Sequence, residues 1–317
     1  DFPEPWSIAM KKLAASLFCL MTTIAWAAPV QQIAIDGERV FPESITADRS
    51  GALIIGSLGT GAIYRAAPGQ STAKLWIDPA SSGMGHVTGV YADDRSHRLY
   101  ACSGTFPPGR AANGDKEVVR AFDLKTGAAK ASYPMPYGAR SFCNDLAMDK
   151  RGNLYVADTI GAAIHRLKKG GAALEPWLKD TQLAGADGIA IGDDGQVYVN
   201  SVSAGKLFRV AVGRDGAAGA ITELKTSLPL KGPDGLRAIG RGRFLQAEGP
   251  GGRIALVTVS GDEATITPIL EGQAGLASMM LVRGTVWAVN AQIAAMNAAA
   301  NGGEVQPFVV VPVALPK

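Results

Sequence analysis

Excess charge of either sign is scarce in this chain: 31 Lys and Arg stand against 28 Asp and Glu, for a formal net charge of +3. No basic run goes beyond short pairs such as Lys168 and Lys169, which excludes the polybasic stripe of a nucleic-acid-binding surface. Long apolar runs are missing as well. The longest occupies residues 13–26 and falls short of the ~20 residues that a membrane span needs. Helical periodicity of useful length is absent throughout. Cysteine is down to three residues. Charge totals 19% while Gly reaches 39 residues, a balance that suits many short strands joined by turns. Hydrophobic content of 47% over 317 residues is ample for one large core or two small ones.

The N-terminal region carries an address. Met10-Lys11-Lys12 precedes the apolar run, and Ala25-Trp26-Ala27 follows before Ala28. That is the charged, apolar and small-x-small layout of a secretory signal. The expected division is residues 1–27 as upstream sequence plus cleaved signal, and 28–317 as one mature domain, periplasmic or secreted. Cys19 leaves with the signal. Export permits a disulfide between Cys102 and Cys143, but their spacing alone does not decide it.

Six times a hairpin phrase returns: an apolar strand, a turn that usually ends in Gly, and a second apolar strand. Gly51, Gly152, Gly195 and Gly242 align four copies, and eight residues before each stand Glu43, Asn144, Asp187 and Asp234. Two weaker copies place Gly89 and Leu276 at that point, with His97 where one turn glycine belongs. The recurrent position steps by 46, 55, 43, 47 and 42 residues, a period typical of four-stranded blades. Third strands are expected at 62–65, 163–166 and 206–209, and fourth strands at 73–77, 174–178 and 220–224. Blades with two apolar faces must stack around an axis. The fold class expected is all-β: a six-bladed β-propeller around a central metal-binding channel, closed by pairing of segments 31–35 and 307–313.

Two kinds of Asp recur. Asp48, Asp149 and Asp193 sit in the turns, where Asp accepts local backbone hydrogen bonds. The recurrent position lies at the other end of the first strand, so its side chains would converge across the channel. Three carboxylates there repel one another unless paired, and no Lys or Arg recurs at that position. An all-oxygen set favours a hard cation: one Ca2+, with Mg2+, Mn2+ or Zn2+ as substitutes. The expected metal ligands are Glu43, Asn144, Asp187 and Asp234. Six residues past the turn glycine, Ser57, Asp158, Ser201, Glu248 and Asn290 return to the same face and are candidates to orient ligands or bind substrate.

Pro42-Glu43, Phe142-Cys143-Asn144-Asp145, Asp187-Gly188-Ile189 and Pro233-Asp234-Gly235-Leu236 together resemble the regucalcin/gluconolactonase family of calcium-dependent six-bladed propellers. The resemblance covers most of the mature chain, most closely from Arg140 to Arg253. It implies one divalent metal held by Glu, Asn, Asn or Asp, and Asp. Asp187 stands where the family often has Asn, which makes the site one charge more negative. The resemblance further implies a monomeric lactone hydrolase acting on a small molecule. Asp234 would be the general base, with Asp187 second, and Asn144, Arg140 and His86 would contact substrate. The insertion at 103–116 would fold over the mouth of the channel or form a surface loop. The alternatives are a non-catalytic binding propeller with a structural cation, and another chemistry such as organophosphate or ester hydrolysis.

Overall fold

The computed structural model describes residues 31–106, 117–299 and 304–316. The expected secretory signal, and most of the insertion at 103–116, lie outside the described residues. The described chain is built from antiparallel meanders. Pro42–Ala47, Leu53–Ser57, Ile63–Ala66 and Thr72–Ile77 are hydrogen-bonded neighbours in sequence order. The same pattern returns from His86–Asp93 to Ala129–Pro134, from Cys143–Met148 to Glu175–Lys179 and from Ala186–Ile191 to Ala218–Glu223. It returns again from Pro233–Gly240 to Glu263–Leu270, where Lys225–Thr226 adds a short parallel edge.

The C-terminal meander has three strands of its own, Leu276–Val282, Thr285–Asn290 and Val309–Ala314. Its fourth comes from the other end of the chain. Ile33–Ile35 pairs antiparallel with Val309–Ala314, Ile33 opposite Val310, and also runs parallel to Thr72–Ile77. First and last meanders thereby merge into one eight-stranded sheet, so the expected pairing of the two terminal segments is observed. Two α-helices were not legible: the single turn Pro79–Ser82, and the seven-residue helix Ile293–Ala299 in the last long connection.

Each meander packs face to face on the next. Tyr100, Cys102 and Val119 of one meet Leu146, Leu154 and Val156 of the following one. Second strands such as Leu53–Ser57, Leu154–Asp158 and Val197–Ser201 are buried along their whole length. That burial is why they read as near-continuous apolar runs rather than alternating ones. The first strands contact one another in a cycle, from Pro42–Ala47 through His86–Asp93 and onward to Leu276–Val282, which returns to Pro42–Ala47.

The turns that follow those first strands are also joined from one meander to the next. Arg49 N donates to Asp94 Oδ2 at 2.9 Å, and Arg95 donates to the carbonyls of Asp149 and Lys150 at 3.1 and 3.0 Å. Lys150 Nζ reaches Asp193 O at 3.0 Å, Asp193 accepts from Arg241 N at 2.5 Å, and Arg283 reaches Ser50 O at 2.6 Å. Asp48 and Asp149 instead accept bonds within their own turns, from Ser50 and Ala52 and from Arg151 and Asn153. Asp193 therefore does not take the turn role expected for it, which falls to Asp194, accepting from Gln196 N at 3.0 Å. His97, in place of a turn glycine, adopts the same left-handed backbone, with φ of 54° against 86° at Gly51. Among the described residues no helix is long and apolar enough to cross a membrane.

Candidate functional site

Each first hairpin breaks register at the same point. Pro42 pairs with Ser57 and Ser44 with Gly56, leaving Glu43 without a partner. Asn144 and Asp145 fall between the pairs Cys143–Asp158 and Leu146–Val156. Asp187-Gly188 and Asp234-Gly235 are passed over in the same way. A bulge bends its strand and re-aims the side chain it carries. Glu43, Asn144, Asp187 and Asp234 accordingly line one gap, with Ser44, Asp145, Gly235 and Ser278 beside them.

The bulges also correct the alignment of the two weaker copies by one residue. Val87 pairs with Ser103 and Leu276 with Asn290, so the structural equivalents of Glu43 are Thr88 and Ala277, not Gly89 and Leu276. The hairpin of one copy is a residue longer and that of the other a residue shorter, so a count back from the turn overshoots or falls short. Thr88 directs its hydroxyl to Cys143 O at 2.7 Å. Gly89 then aligns with Gly188 and Gly235. A Cβ on Gly89 would stand 2.5 Å from Asn144 O, and one on Gly188 would stand 2.2 Å from Asp234 O. Glycine there lets neighbouring first strands close together at the axis.

Asn144 donates from Nδ2 to Asp187 Oδ2 at 2.8 Å and to Thr159 Oγ1 at 3.0 Å. With its donors committed, the Asn144 carbonyl oxygen is the atom left to accept. Asp187 Oδ1 is buried and has no hydrogen-bond partner among the described residues. Burial pushes the Asp187 carboxyl up to about 7; Asp145 adds to the rise, and the hydrogen bond from Asn144 opposes it. Glu43 is raised well above the carboxylate range by burial, then by Asp187 and Asp145, with Arg237 lowering it. Asp234 is raised in the same way by burial, then by Asp187 and Glu43, with the Gly235 N–H lowering it. Among the described residues no three His, Cys, Asp or Glu side chains are gathered as a ready-made metal cage. Asp187 Oδ2 accepts from Asn144 Nδ2 and Asp234 Oδ1 from Gly235 N. The donor set itself suits a hard cation: every ligating atom is oxygen, and Asp187 Oδ1 is an orphaned buried acceptor.

Two residues of this centre had no signal in the repeat. Arg237, three residues past Asp234, is largely shielded from solvent and pairs through Nη1 with Asp145 Oδ2 at 2.6 Å. Its Nη2 reaches Ser44 Oγ at 3.3 Å and Ser278 Oγ at 3.5 Å. Ser44, Asp145 and Ser278 each follow the recurrent position by one residue, so Arg237 ties three strands together beneath the gap. A lone Arg in one copy of six cannot be found by looking for recurrence. Asn200 is a further brace: its Oδ1 accepts from Gly188 N at 2.9 Å and its Nδ2 donates to Asp234 O at 2.6 Å.

The residues six past the turn glycine share a structural task. Ser57 donates to Val40 O, Ser201 to Ala184 O and Asn290 to Ala274 O, while Asp158 accepts from Phe142 N and Glu248 from Lys231 N. Ser103, the equivalent in the second copy, accepts from Gly85 N. Each fastens the segment that leads into its own first strand, and so sets the entry of the residue at the bulge. Asp158 also holds buried His165 at 2.8 Å.

Neither His86 nor Arg140 lines the gap. Arg140 is exposed at the end of the short 3-10 turn Gly138–Arg140. His86 is 3% exposed and packs on Phe106 and Phe142 at ring distances of 6.2 and 5.4 Å. Neither ring nitrogen has a well-formed hydrogen bond among the described residues. Burial holds His86 neutral, with its pKa down to about 4, and a weak contact to the Gly104 backbone barely offsets this. Cys102 and Cys143 are joined as a disulfide with Cα atoms 5.3 Å apart, which resolves what the spacing left open. The Cys143 N–H donates to Glu117 Oε2 at 3.1 Å.

No protein-family model matches the sequence, and no curated protein matches it. Solved structures do. A gluconolactonase from Xanthomonas campestris is 16% identical, with a TM-score of 0.62 over 92% of this chain and 99% of that one. A luciferin-regenerating enzyme is 14% identical, with a TM-score of 0.68 over 90% of this chain and 94% of that one. A virginiamycin B lyase from Staphylococcus aureus is 14% identical, with a TM-score of 0.59 over 90% and 99%. At such identities the likeness is one of fold: an all-β, propeller-type architecture shared by enzymes of differing chemistry.

Proposed function

We propose that the chain is an exported, divalent-cation-dependent hydrolase of a lactone or related ester, most like a gluconolactonase, on a six-bladed propeller. The cycle of six first strands supports the blade count. The eight-stranded sheet divides into two four-stranded blades where Ile33–Ile35 meets Thr72–Ile77. The Cys102–Cys143 disulfide is in keeping with an oxidising, exported location.

The observation that carries the reading is the convergence of Glu43, Asn144, Asp187 and Asp234 on one buried gap, with Asp187 Oδ1 unpartnered. These four oxygen donors would hold the cation, Ca2+ in first place with Mg2+, Mn2+ or Zn2+ as substitutes. When bound, the cation would supply Lewis-acid polarisation of the substrate carbonyl. The chain's own part is proton handling and placement. Asp187 and Asp234 are the candidates to take the proton of the attacking water, and Asp187 Oδ1 is the free acceptor. Asp234 Oδ1 already accepts from Gly235 N at 2.9 Å, which fixes that carboxyl and weakens its claim as base. Arg237 and Asn200 hold the strands that present both. His86 and Arg140 remain candidates for substrate contact outside the gap.

The test is a panel of aldono-lactones and aryl esters assayed with Ca2+, with chelator, and with Asp187→Asn and Asp234→Asn. Hydrolysis that needs the cation and falls by about two orders of magnitude or more in one variant supports the reading. Calcium binding with no turnover of any substrate in the panel sinks it.

A further inference from the structure

At the end of the second and third meanders opposite the gap, a cleft of about 400 Å3 opens between them. That volume is within the range of small-molecule sites. Its lining holds six Lys and Arg side chains and a single carboxylate, Asp93, in a chain whose overall charge is nearly balanced. The carboxylates nearby are already engaged. Asp93 accepts from the Arg95 N–H at 3.2 Å and from Ser96 Oγ at 2.6 Å, and Asp123 pairs with Lys130 at 3.4 Å. Among the described residues no ion pair is formed by Arg98 on one wall or by Lys169 on the other. The Lys169 stem lies across Gly152, where an added Cβ would stand 3.3 Å from it.

The rim is built rather than loose. Arg95 spends both terminal nitrogens on the carbonyls of Asp149 and Lys150 across the seam, at 3.1 and 3.0 Å, which fixes the two turns relative to each other. The floor differs from the rim. Tyr100, Tyr133, Leu154 and Leu167 line it and all four are buried. A cationic rim above a phenolic and aliphatic floor selects an anion that also has an apolar or ring-shaped body. Two unpaired cations on facing walls select two negative charges.

We infer that this cleft is a second ligand site, separate from the channel, that binds a small organic phosphomonoester. The phosphate lies between Arg98 and Lys169, and the body lies on Tyr100 and Tyr133. Lys168 is held by Glu175 at 2.9 Å and contributes field rather than contact. Nothing in this site depends on the hydrolase reading.

Isothermal titration of the mature protein with phenyl phosphate, inorganic phosphate and benzyl alcohol tests it. One saturable site is expected for phenyl phosphate, about tenfold or more tighter than for inorganic phosphate, with no binding of the alcohol. Arg98→Ala and Lys169→Ala should each weaken phenyl phosphate about fivefold or more, with thermal midpoints near that of the wild type, and Asp234→Asn should leave it unchanged. Lys169 is exposed, so its variant separates binding from folding. Equal affinity for phenyl and inorganic phosphate, retained affinity in Lys169→Ala, or loss in Asp234→Asn overturns the proposal. So does binding to phosphatidylglycerol vesicles without binding of phenyl phosphate, which would make the face a lipid surface instead.

Discussion

Asn144 and Asp187, from adjacent first strands, are joined by a 2.8 Å bond from Nδ2 to Oδ2. That bond decides which way the amide faces, because Thr159 takes its other donor at 3.0 Å. Asn144→Asp would place two carboxyl oxygens where a donor now meets an acceptor. Without a cation the pair would repel, or one member would protonate. With a cation the added charge would tighten binding. The expected outcome is a variant less stable than wild type in chelator and more strongly stabilised by Ca2+, read as the gap between thermal midpoints with and without the ion. Equal gaps in the two proteins would argue against a cation at this position.

The pH dependence of the cation-free protein has a defined sign. Glu43, Asp187 and Asp234 all have pKa values raised on folding, chiefly by burial. The folded state therefore holds protons that the unfolded state releases, and stability falls as pH rises. The loss should begin near the ordinary carboxylate range of about 4 and continue through about 7, where Asp187 titrates. In chelator, the melting midpoint should drop between about pH 6.5 and pH 8 by several degrees, since each kcal/mol moves it roughly 2–4 °C in domains approaching this size; below about pH 6.5 the buried, neutral His86 acts in the opposite sense. Saturating Ca2+ should remove most of that slope. A chelated protein whose midpoint rises over this window would contradict the assignment of buried, raised carboxyls.

Much of this was legible in the sequence because blades repeat. Turn glycines such as Gly51 and Gly152 must adopt positive φ, so they recur and can be counted from. The count fails where spacing carries no such constraint. A hairpin one residue longer moved the second-copy equivalent from Gly89 to Thr88, and nothing in the composition marks the added residue. Arg237 and Asn200 escaped for another reason: each serves the ring once, so neither recurs. The residues six past the turn were found, but their task was not. Whether a buried Ser or Asp faces a ligand or its own backbone depends on the loop path, as Ser57 and Asp158 illustrate.

Arg237 and Asp145 form an ion pair with side chains 11% and 5% exposed. Removing one partner strands the other in a buried site, at a cost of about 3–5 kcal/mol. Arg237→Met should therefore destabilise strongly, because Asp145 would sit beside Glu43 and Asp187 with no cation of the protein's own. Asp145→Asn in the same chain should recover part of the loss. A double-mutant cycle by urea denaturation checks this. Additive effects would show that Arg237 acts through packing rather than through charge.

The Cys102–Cys143 disulfide crosses from the second meander to the third and ends one residue before Asn144. Its half-cystines are 41 residues apart, for which loop-closure entropy gives about 4 kcal/mol of stabilisation. Cys102→Ser/Cys143→Ser should lower the urea midpoint accordingly without changing the fold by circular dichroism. Loop-closure entropy acts on the unfolded chain, so the loss should be the same in chelator and in Ca2+. A larger loss in chelator would show that the bond also positions Asn144 in the folded protein.

Gly89 offers a test of the axis that needs no ligand. A methyl group there would lie 2.5 Å from Asn144 O and 2.8 Å from Asp145 Cα. Both are backbone atoms of a neighbouring strand and cannot swing aside as a flexible side chain would. Its φ is not in the left-handed range, so strain in the residue's own backbone does not enter, and the effect of Gly89→Ala is purely steric. The substitution must push two first strands apart, and overpacking of this kind costs about 1–3 kcal/mol or more. Gly69→Ala is the contrasting control: its methyl would meet nothing within 4 Å, and only its φ of 82° opposes the change. If Gly89→Ala proves the milder of the two in urea denaturation, the first strands are not packed as closely at the axis as Gly89, Asn144 and Asp145 require.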